Sequence, residues 1–318
     1  MGERVMNGLK RVTKGRCSAL RASLAAAAAL ALPLLLTQPA RAQVAQPTLE
    51  KIRAANMIAI GYRETSVPFS YVDANGNVTG FSQDICNRVI DAIKARTHRP
   101  NLQVRFIPVT SQNRIPLVQN GTVDLECGVT TNLQARHSQV TFSDTFFVAT
   151  TRLLTRKDSG IHDFKDLVGK TVLTNQGTTS ERILRRMNLE KRMNMQVISA
   201  KDYRQGRAIL ESGRAVAYMM DDVLLAGARS LTAHPSDWVI VGTPQSWEAY
   251  AFMLRNGDPA FRRLVNDTMS ALMKSGEIDA LYTKWFERPV PPRGVNFGFP
   301  MSDTLRALYA APNDRAFD

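Results

Sequence analysis

The chain has 318 residues, 44% of them hydrophobic, with a formal net charge of +13 and three cysteines. That size allows two packed cores, and so few cysteines exclude a disulfide-rich scaffold. The basic residues are spread out, with no tight Lys/Arg block interleaved with aromatics, which argues against a nucleic-acid partner.

Residues 1–21 carry Arg4, Lys10, Arg11, Lys14, Arg16 and Arg21 against one acid, Glu3. An apolar run follows from Leu24 to Leu36, broken only by Pro33, and then the small-x-small triplet Ala40-Arg41-Ala42. This order predicts a secretory signal peptide over residues 1–42, cleaved after Ala42. The run is too short to span a bilayer, which needs roughly 20 residues. No Cys stands at the cleavage region to carry a lipid, and Cys17 leaves with the peptide. The leader holds seven Lys/Arg and one Glu, so its removal takes +6 from +13 and leaves +7. A basic exported protein suits an anionic ligand through general steering, although solubility alone also accounts for the charge. Cys86 and Cys127 remain. An oxidising compartment permits a disulfide, their spacing suggests no metal site, and whether they pair or are plain core residues stays open.

Along the mature chain, strands alternate with helices. Met57–Gly61 reads as a strand, Phe81–Ala95 as a helix with Ile85, Val89 and Ile93 on one face, and Leu102–Pro108 as a strand. Arg114–Gln119 is a helical segment closed by Asn120-Gly121. Asp124–Gly128 is a strand running into Thr130 and Thr131, and Thr145–Arg156 is a long extended segment. The pattern then restarts: a short helix Phe164–Val168, a strand Thr171–Leu173, and a helix from Gly177–Ser180 to about Met193. After these come a strand Met195–Ser199, a helix Tyr203–Ser212 and a strand Ala215–Met220. Asp221-Asp222 caps the next helix, and Trp238–Gly242 is another strand. Two helices, Pro259–Ser275 and Glu277–Phe286, precede a Pro-rich tail. Such alternation predicts an α/β fold of parallel, doubly wound sheets. The restart near Thr155 and the break near Pro244 place a first lobe at 43–150 and 246–318, and a second at 151–245. Ligands bind outside the carboxyl ends of the strands of such sheets.

An amino acid ligand needs an Arg and neutral donors for its carboxylate and a carboxylate for its ammonium, since a buried charge without a partner is very unfavourable. Arg63, Arg114 and Arg136 follow strands, although each also reads as a solvated surface arginine. Arg152 lies in the crossing segment and is expected to be structural. Asp221 reads first as a helix cap that can still face the cleft. Gly177–Ser180 gathers hydroxyls and backbone donors at a helix N-terminus. Phe69 and Tyr71 can wall a pocket or belong to the core.

Taken together, Arg63–Tyr71, Thr110–Gly121, Asp124–Thr131, Phe142–Leu154, Gly177–Ser180, Glu211–Ala226, Ser246–Arg255 and the final Pro-Asn-Asp-Arg-Ala resemble the periplasmic glutamate/aspartate-binding proteins of ABC transporters. These belong to the polar amino acid group of solute-binding proteins, family 3. The likeness runs from about Leu49 to Asp318. It implies a periplasmic binding protein-like fold of two α/β lobes joined by a two-strand hinge near Thr150–Thr155 and Thr243–Tyr250. By resemblance, Arg63, Ser111 and Arg114 hold the ligand's side-chain carboxylate. Thr131 and Arg136 donate to its α-carboxylate, the Val129 carbonyl contacts the ligand, Thr178 and Thr179 add contacts from the second lobe, and Asp221 takes the α-ammonium. Two positions depart from the family: Val129 stands where close members carry Ser, and Tyr203 where they carry His. A tyrosine hydroxyl donates a hydrogen bond without charge, which leaves the glutamate–aspartate preference unset.

The residue count agrees with an acidic ligand. A neutral amino acid is satisfied by Arg136 and Asp221, and would leave Arg63 and Arg114 as spare positive charges. The resemblance also implies a monomer in the periplasm that delivers its ligand to an inner-membrane ABC permease, with no metal, cofactor or catalytic residue. The alternatives are a binding protein for another polar amino acid, a periplasmic sensor module, or an exported dehydratase of aromatic-precursor acids. The dehydratase reading has Glu64, Asp221 and Glu248 as candidate acids, but no carboxylate pair or His/Ser/Asp grouping supports it. His98, His137, His162 and His234 all fall in loops or surface-like stretches.

Overall fold

A computed structural model describes residues 46–291 and 293–316. The expected leader and its cleavage after Ala42 lie outside the described residues.

Helix α1 (Thr48–Ala55) leads into β1 (Met57–Tyr62), the short strands β2 (Thr65–Ser66), β3 (Ser70–Val72) and β4 (Val78–Thr79), and helix α2 (Phe81–Thr97). Then follow β5 (Gln103–Pro108), α3 (Arg114–Gln119), β6 (Leu125–Thr131) and the 17-residue β7 (Val140–Arg156). Next come β8 (Thr171–Asn175), α4 (Thr179–Glu190), β9 (Gln196–Ala200), α5 (Tyr203–Glu211), β10 (Ala217–Asp221), α6 (Asp222–Ser230) and β11 (Trp238–Val241). The chain ends with β12 (Trp247–Arg255), α7 (Pro259–Lys274), α8 (Glu277–Tyr282) and α9 (Asp303–Ala310).

The main sheet runs β5-β1-β6-β12-β7-β10-β8-β9, with β11 on β7, while β2, β3 and β4 form a small sheet of their own. Strands β5, β1 and β6 are parallel, and so are β10, β8 and β9. The two central strands correct the all-parallel expectation. β12 pairs antiparallel with both β6 and β7, and β7 pairs antiparallel with β10. Parallel neighbours need a crossover helix between them. β7 and β12 are instead the segments along which the chain passes between the two parallel halves. β12 is also a nine-residue strand, whereas the sequence marked that stretch only as a crossing segment.

The tail is not merely Pro-rich. Ser302 caps α9 by accepting from the Leu305 N–H, Leu305 and Tyr309 are buried, and the Tyr309 hydroxyl donates to the Phe146 carbonyl at 2.8 Å. Phe69 belongs to the core rather than to a pocket wall. Its ring lies edge-on to Phe147 and Tyr250, with centroids 4.8 and 5.4 Å apart. Tyr71 packs edge-on against Trp285 and donates to the Pro291 carbonyl.

Cys86 on α2 and Cys127 on β6 are joined in a disulfide with Cα atoms 6.0 Å apart, which resolves the open pairing. The cross-link closes a separation of 41 residues. A loop of that length is worth about 4 kcal/mol in the chain-entropy picture. Reduction should therefore lower the melting temperature by about 10 °C for a chain of this size. A melt with and without reductant checks this, and superimposable curves would count against a stabilising bond.

Candidate functional site

The carboxyl ends of both parallel halves face one another, and the functional side chains come from the segments that leave those ends. Arg63 follows β1. Ser111 and Arg114 follow β5, with Arg114 opening α3. Val129 and Thr131 end β6, and Arg136 closes the 3-10 turn Gln134–Arg136. From the other half, Thr178 and Thr179 start α4, Tyr203 starts α5, and Asp221 ends β10. The halves touch. Gly177 has φ +72°, and a Cβ added there would sit 3.0 Å from the Ser111 carbonyl oxygen. Beside that contact a cleft of about 550 Å³ is lined by Ser111, Gln112, Arg136, Thr178, Thr179 and Arg182, among others.

Arg63 and Arg114 are each only 3% exposed, and Arg136 is half-buried. Among the described residues, none of the three forms an ion pair. Arg114 donates from Nη1 to Thr130 Oγ1 at 2.7 Å and to the Val129 carbonyl at 3.3 Å, while its Nε is buried with no partner. Burial, and then the neighbouring Arg136, push its guanidinium down to about 9. An arginine stays protonated in a protein, so that pressure is relieved by an anion rather than by loss of the proton. Arg136 donates to the Thr131 carbonyl at 2.7 Å and is likewise pushed down by burial. Arg152 donates to the Gly242 carbonyl at 2.9 Å, the structural part expected of it.

The opposite end is acidic. Asp221 accepts from the Tyr250 hydroxyl on Oδ2 and from Ser180 Oγ at 3.3 Å on Oδ1. Burial first, and then Glu248, raise its carboxyl to about 8. This corrects the capping reading: the Asp221 side chain caps nothing, and it is Asp222 whose Oδ1 accepts from the Val223 N–H. The reason is reach, since Asp221 still lies in the strand and its side chain turns across the cleft to Tyr250.

Two hydroxyls behave differently from expectation. Thr178 donates to the Asn175 carbonyl and accepts from the Glu181 N–H, so its side chain is used as the cap of α4. Thr131, expected to donate to a carboxylate, gives its proton to Glu248 Oε2 at 2.6 Å. A hydroxyl has one proton, so what Thr131 can still offer through its side chain is an acceptor. Tyr203 is buried, and burial, with Asp221 adding to it, raises its phenol further.

Glu126 was missed as part of this site, and Glu248 was named only as a candidate acid of the dehydratase reading, not as part of the binding site. Glu126 is fully buried, accepts from Thr130 Oγ1 at 2.7 Å and leaves Oε1 without a partner. Burial raises its carboxyl, while Arg114, Arg63 and Arg136 act against that rise. The two spare positive charges counted from sequence are thus partly offset from within. The available signal was a lone acid inside an otherwise apolar strand, Leu125-Glu126-Cys127 and Trp247-Glu248-Ala249. Among the described residues, no cluster of His, Cys, Asp and Glu is arranged to hold a metal ion.

Two parallel half-sheets joined by antiparallel central strands, with charged side chains meeting at their facing ends, make a periplasmic binding protein-like α/β fold. Residues 58–288 match the bacterial extracellular solute-binding proteins, family 3, and the chain belongs to that family. It is 52% identical over 277 residues to the glutamate/aspartate import solute-binding protein of Salmonella typhimurium, covering 87% of this chain and 92% of that one. It is 50% identical over 300 residues to the protein of the same name from Escherichia coli, covering 94% and 99%. Among solved structures it resembles an ancestral amino acid-binding protein described as a precursor of cyclohexadienyl dehydratase. That likeness has a TM-score of 0.65 at 29% identity, over 75% of this chain and 98% of the other.

Proposed function

We propose that this protein is the periplasmic substrate-binding component of an ABC transporter for L-glutamate or L-aspartate, exported by a leader over residues 1–42 and acting as a monomer. The observation that carries the reading lies at the facing ends of the two half-sheets, where Arg63 and Arg114 are buried and Arg136 half-buried, none in an ion pair among the described residues, with Asp221 on the other half. Arginine is almost never buried unless paired, and an acidic amino acid brings two carboxylates and one ammonium. The names of the Salmonella and Escherichia relatives support the same ligand. In this reading residues 43–150 and 246–318 form the lobe that meets the ligand first. Residues 151–245 swing over it about the β7 and β12 segments, and the closed form docks on the permease.

The test is calorimetric titration of the mature protein, residues 43–318, after unfolding and refolding to strip captured ligand. Glutamate or aspartate should bind tightly at one to one, with glutamine at least about 100-fold weaker, since losing the second carboxylate leaves buried charge unpaired. Glutamine binding as tightly as glutamate would sink the acidic ligand and leave the fold assignment standing.

The likeness to the dehydratase precursor keeps an enzymatic reading in view, with Asp221, raised to about 8, as its acid. Binding is favoured because each Asp221 oxygen already accepts from a protein hydroxyl. Dehydrated product released from an aromatic-precursor acid would reverse that preference.

A further inference from the structure

Glu248, the second residue of β12, is 1% exposed and lies where the two halves of the sheet meet. Its Oε2 accepts from two hydroxyls: Thr131 Oγ1 at 2.6 Å, from the end of β6, and Thr179 Oγ1 at 2.8 Å, from the first residue of α4. Its Oε1 accepts from Ser246 Oγ, with Thr151 Oγ1 at 3.4 Å. Among the described residues, no cation pairs with it. A buried carboxylate surrounded by hydroxyls is an acceptor only, so each hydroxyl must turn its single proton toward it. Thr131 and Thr179, one from each half, are left with lone pairs for whatever enters the cleft. Lone pairs stabilise an ammonium group and repel a carboxylate oxygen.

We propose that Glu248 is a positioning residue that fixes the Thr131 and Thr179 hydroxyls as acceptors, and so sets the requirement for an α-ammonium group in the ligand. The inference rests on the acidic amino acid reading above and adds to it a residue that holds no ligand atom itself. It also ties ligand choice to closure. The two threonines reach one oxygen only when the halves are together, so an ammonium meets its full set of acceptors only in the closed cleft.

Glu248→Leu tests this. An apolar side chain takes away the one oxygen that both threonines share, so Thr131 and Thr179 are each free to turn a proton toward the cleft. Glutamate and glutarate, the same diacid without the amine, are titrated against the wild-type protein and the variant. Glutamate affinity should fall about 10- to 100-fold, a loss on the scale of one or two hydrogen bonds to a charged group. Glutarate should bind the variant as well as the wild type or better, so the preference for the amine shrinks at least about tenfold. Equal losses for both ligands, or none for either, overturn the inference, because a merely structural residue would not change the ratio. If the variant does not fold, Thr179→Val, which removes one of the two fixed hydroxyls, is measured instead: a shrunken glutamate-to-glutarate ratio supports the inference, and an unchanged ratio overturns it. Wild-type protein that binds neither diacid overturns the acidic amino acid reading itself, and this inference with it.

Discussion

Asp221→Asn should abolish useful binding of glutamate while making the empty protein more stable at neutral and alkaline pH. Removing the charged partner of a buried ammonium costs about 2–5 kcal/mol, or about 30- to several-thousand-fold in affinity. The stability gain follows from linkage. Burial and Glu248 raise the Asp221 carboxyl from its ordinary 3.8 to about 8. Between those values the folded state holds a proton that the unfolded state has lost, so stability falls as pH rises through that window. An asparagine does not titrate, and the loss disappears. Melting curves should place the variant above the wild type at pH 8, with the gap closing toward pH 4. Wild-type binding should release about one proton at neutral pH, because the ammonium favours the ionised aspartate; titration in buffers of different ionisation enthalpy measures it. A variant less stable than wild type at pH 8 would show that the carboxyl is not held under that pressure.

Arg114→Met should cost glutamate about 100- to 1000-fold in affinity, within the range for breaking a buried charge pair, and cost glutamine far less. The arginine is buried, its Nε is unpartnered, and Nη1 braces the Val129 carbonyl and Thr130. Its removal also takes away the group that acts most strongly against the rise of the buried Glu126 carboxyl. Glu126 then shifts further toward its neutral form, which removes a negative charge facing the ligand carboxylate and offsets part of the loss. The readout is the glutamate-to-glutamine affinity ratio measured on one preparation. An unchanged ratio would mean that Arg114 grips something other than a second carboxylate.

Much of the fold is legible in the sequence where periodicity is strong. Arg114–Gln119 forms as predicted, Phe81–Ala95 extends by only two residues, and Met57–Gly61 by one. The short strands β2 to β4 have two or three residues each, too few to show a period. Helix α1 spans only about two turns, and helix α9 hides behind the prolines that precede it. β12 is buried along nearly its whole length on both faces, so it shows no alternation and reads as a connection. Residues that follow strands stand out because position alone marks them. Glu126 and Glu248 do not, because their roles depend on partners the linear chain does not show; Thr131 and Glu248 are 117 residues apart. The same contact explains why the Thr131 hydroxyl points its proton opposite to expectation.

The 17-residue β7 has a consequence for motion. It pairs with β12 up to Thr150, with two register shifts on the way, and with β10 from Thr151 onward. A cleft built on it cannot open like a door on a loose loop. The strand must keep its hydrogen bonds on either side of that change of partner and yield by winding or unwinding there. It acts as a torsion bar, whose stiffness belongs to the backbone ladder more than to any side chain. Opening should therefore follow one rotational path, and a proline placed at Thr150 or Thr151 should change how far the cleft turns before it changes what the cleft holds.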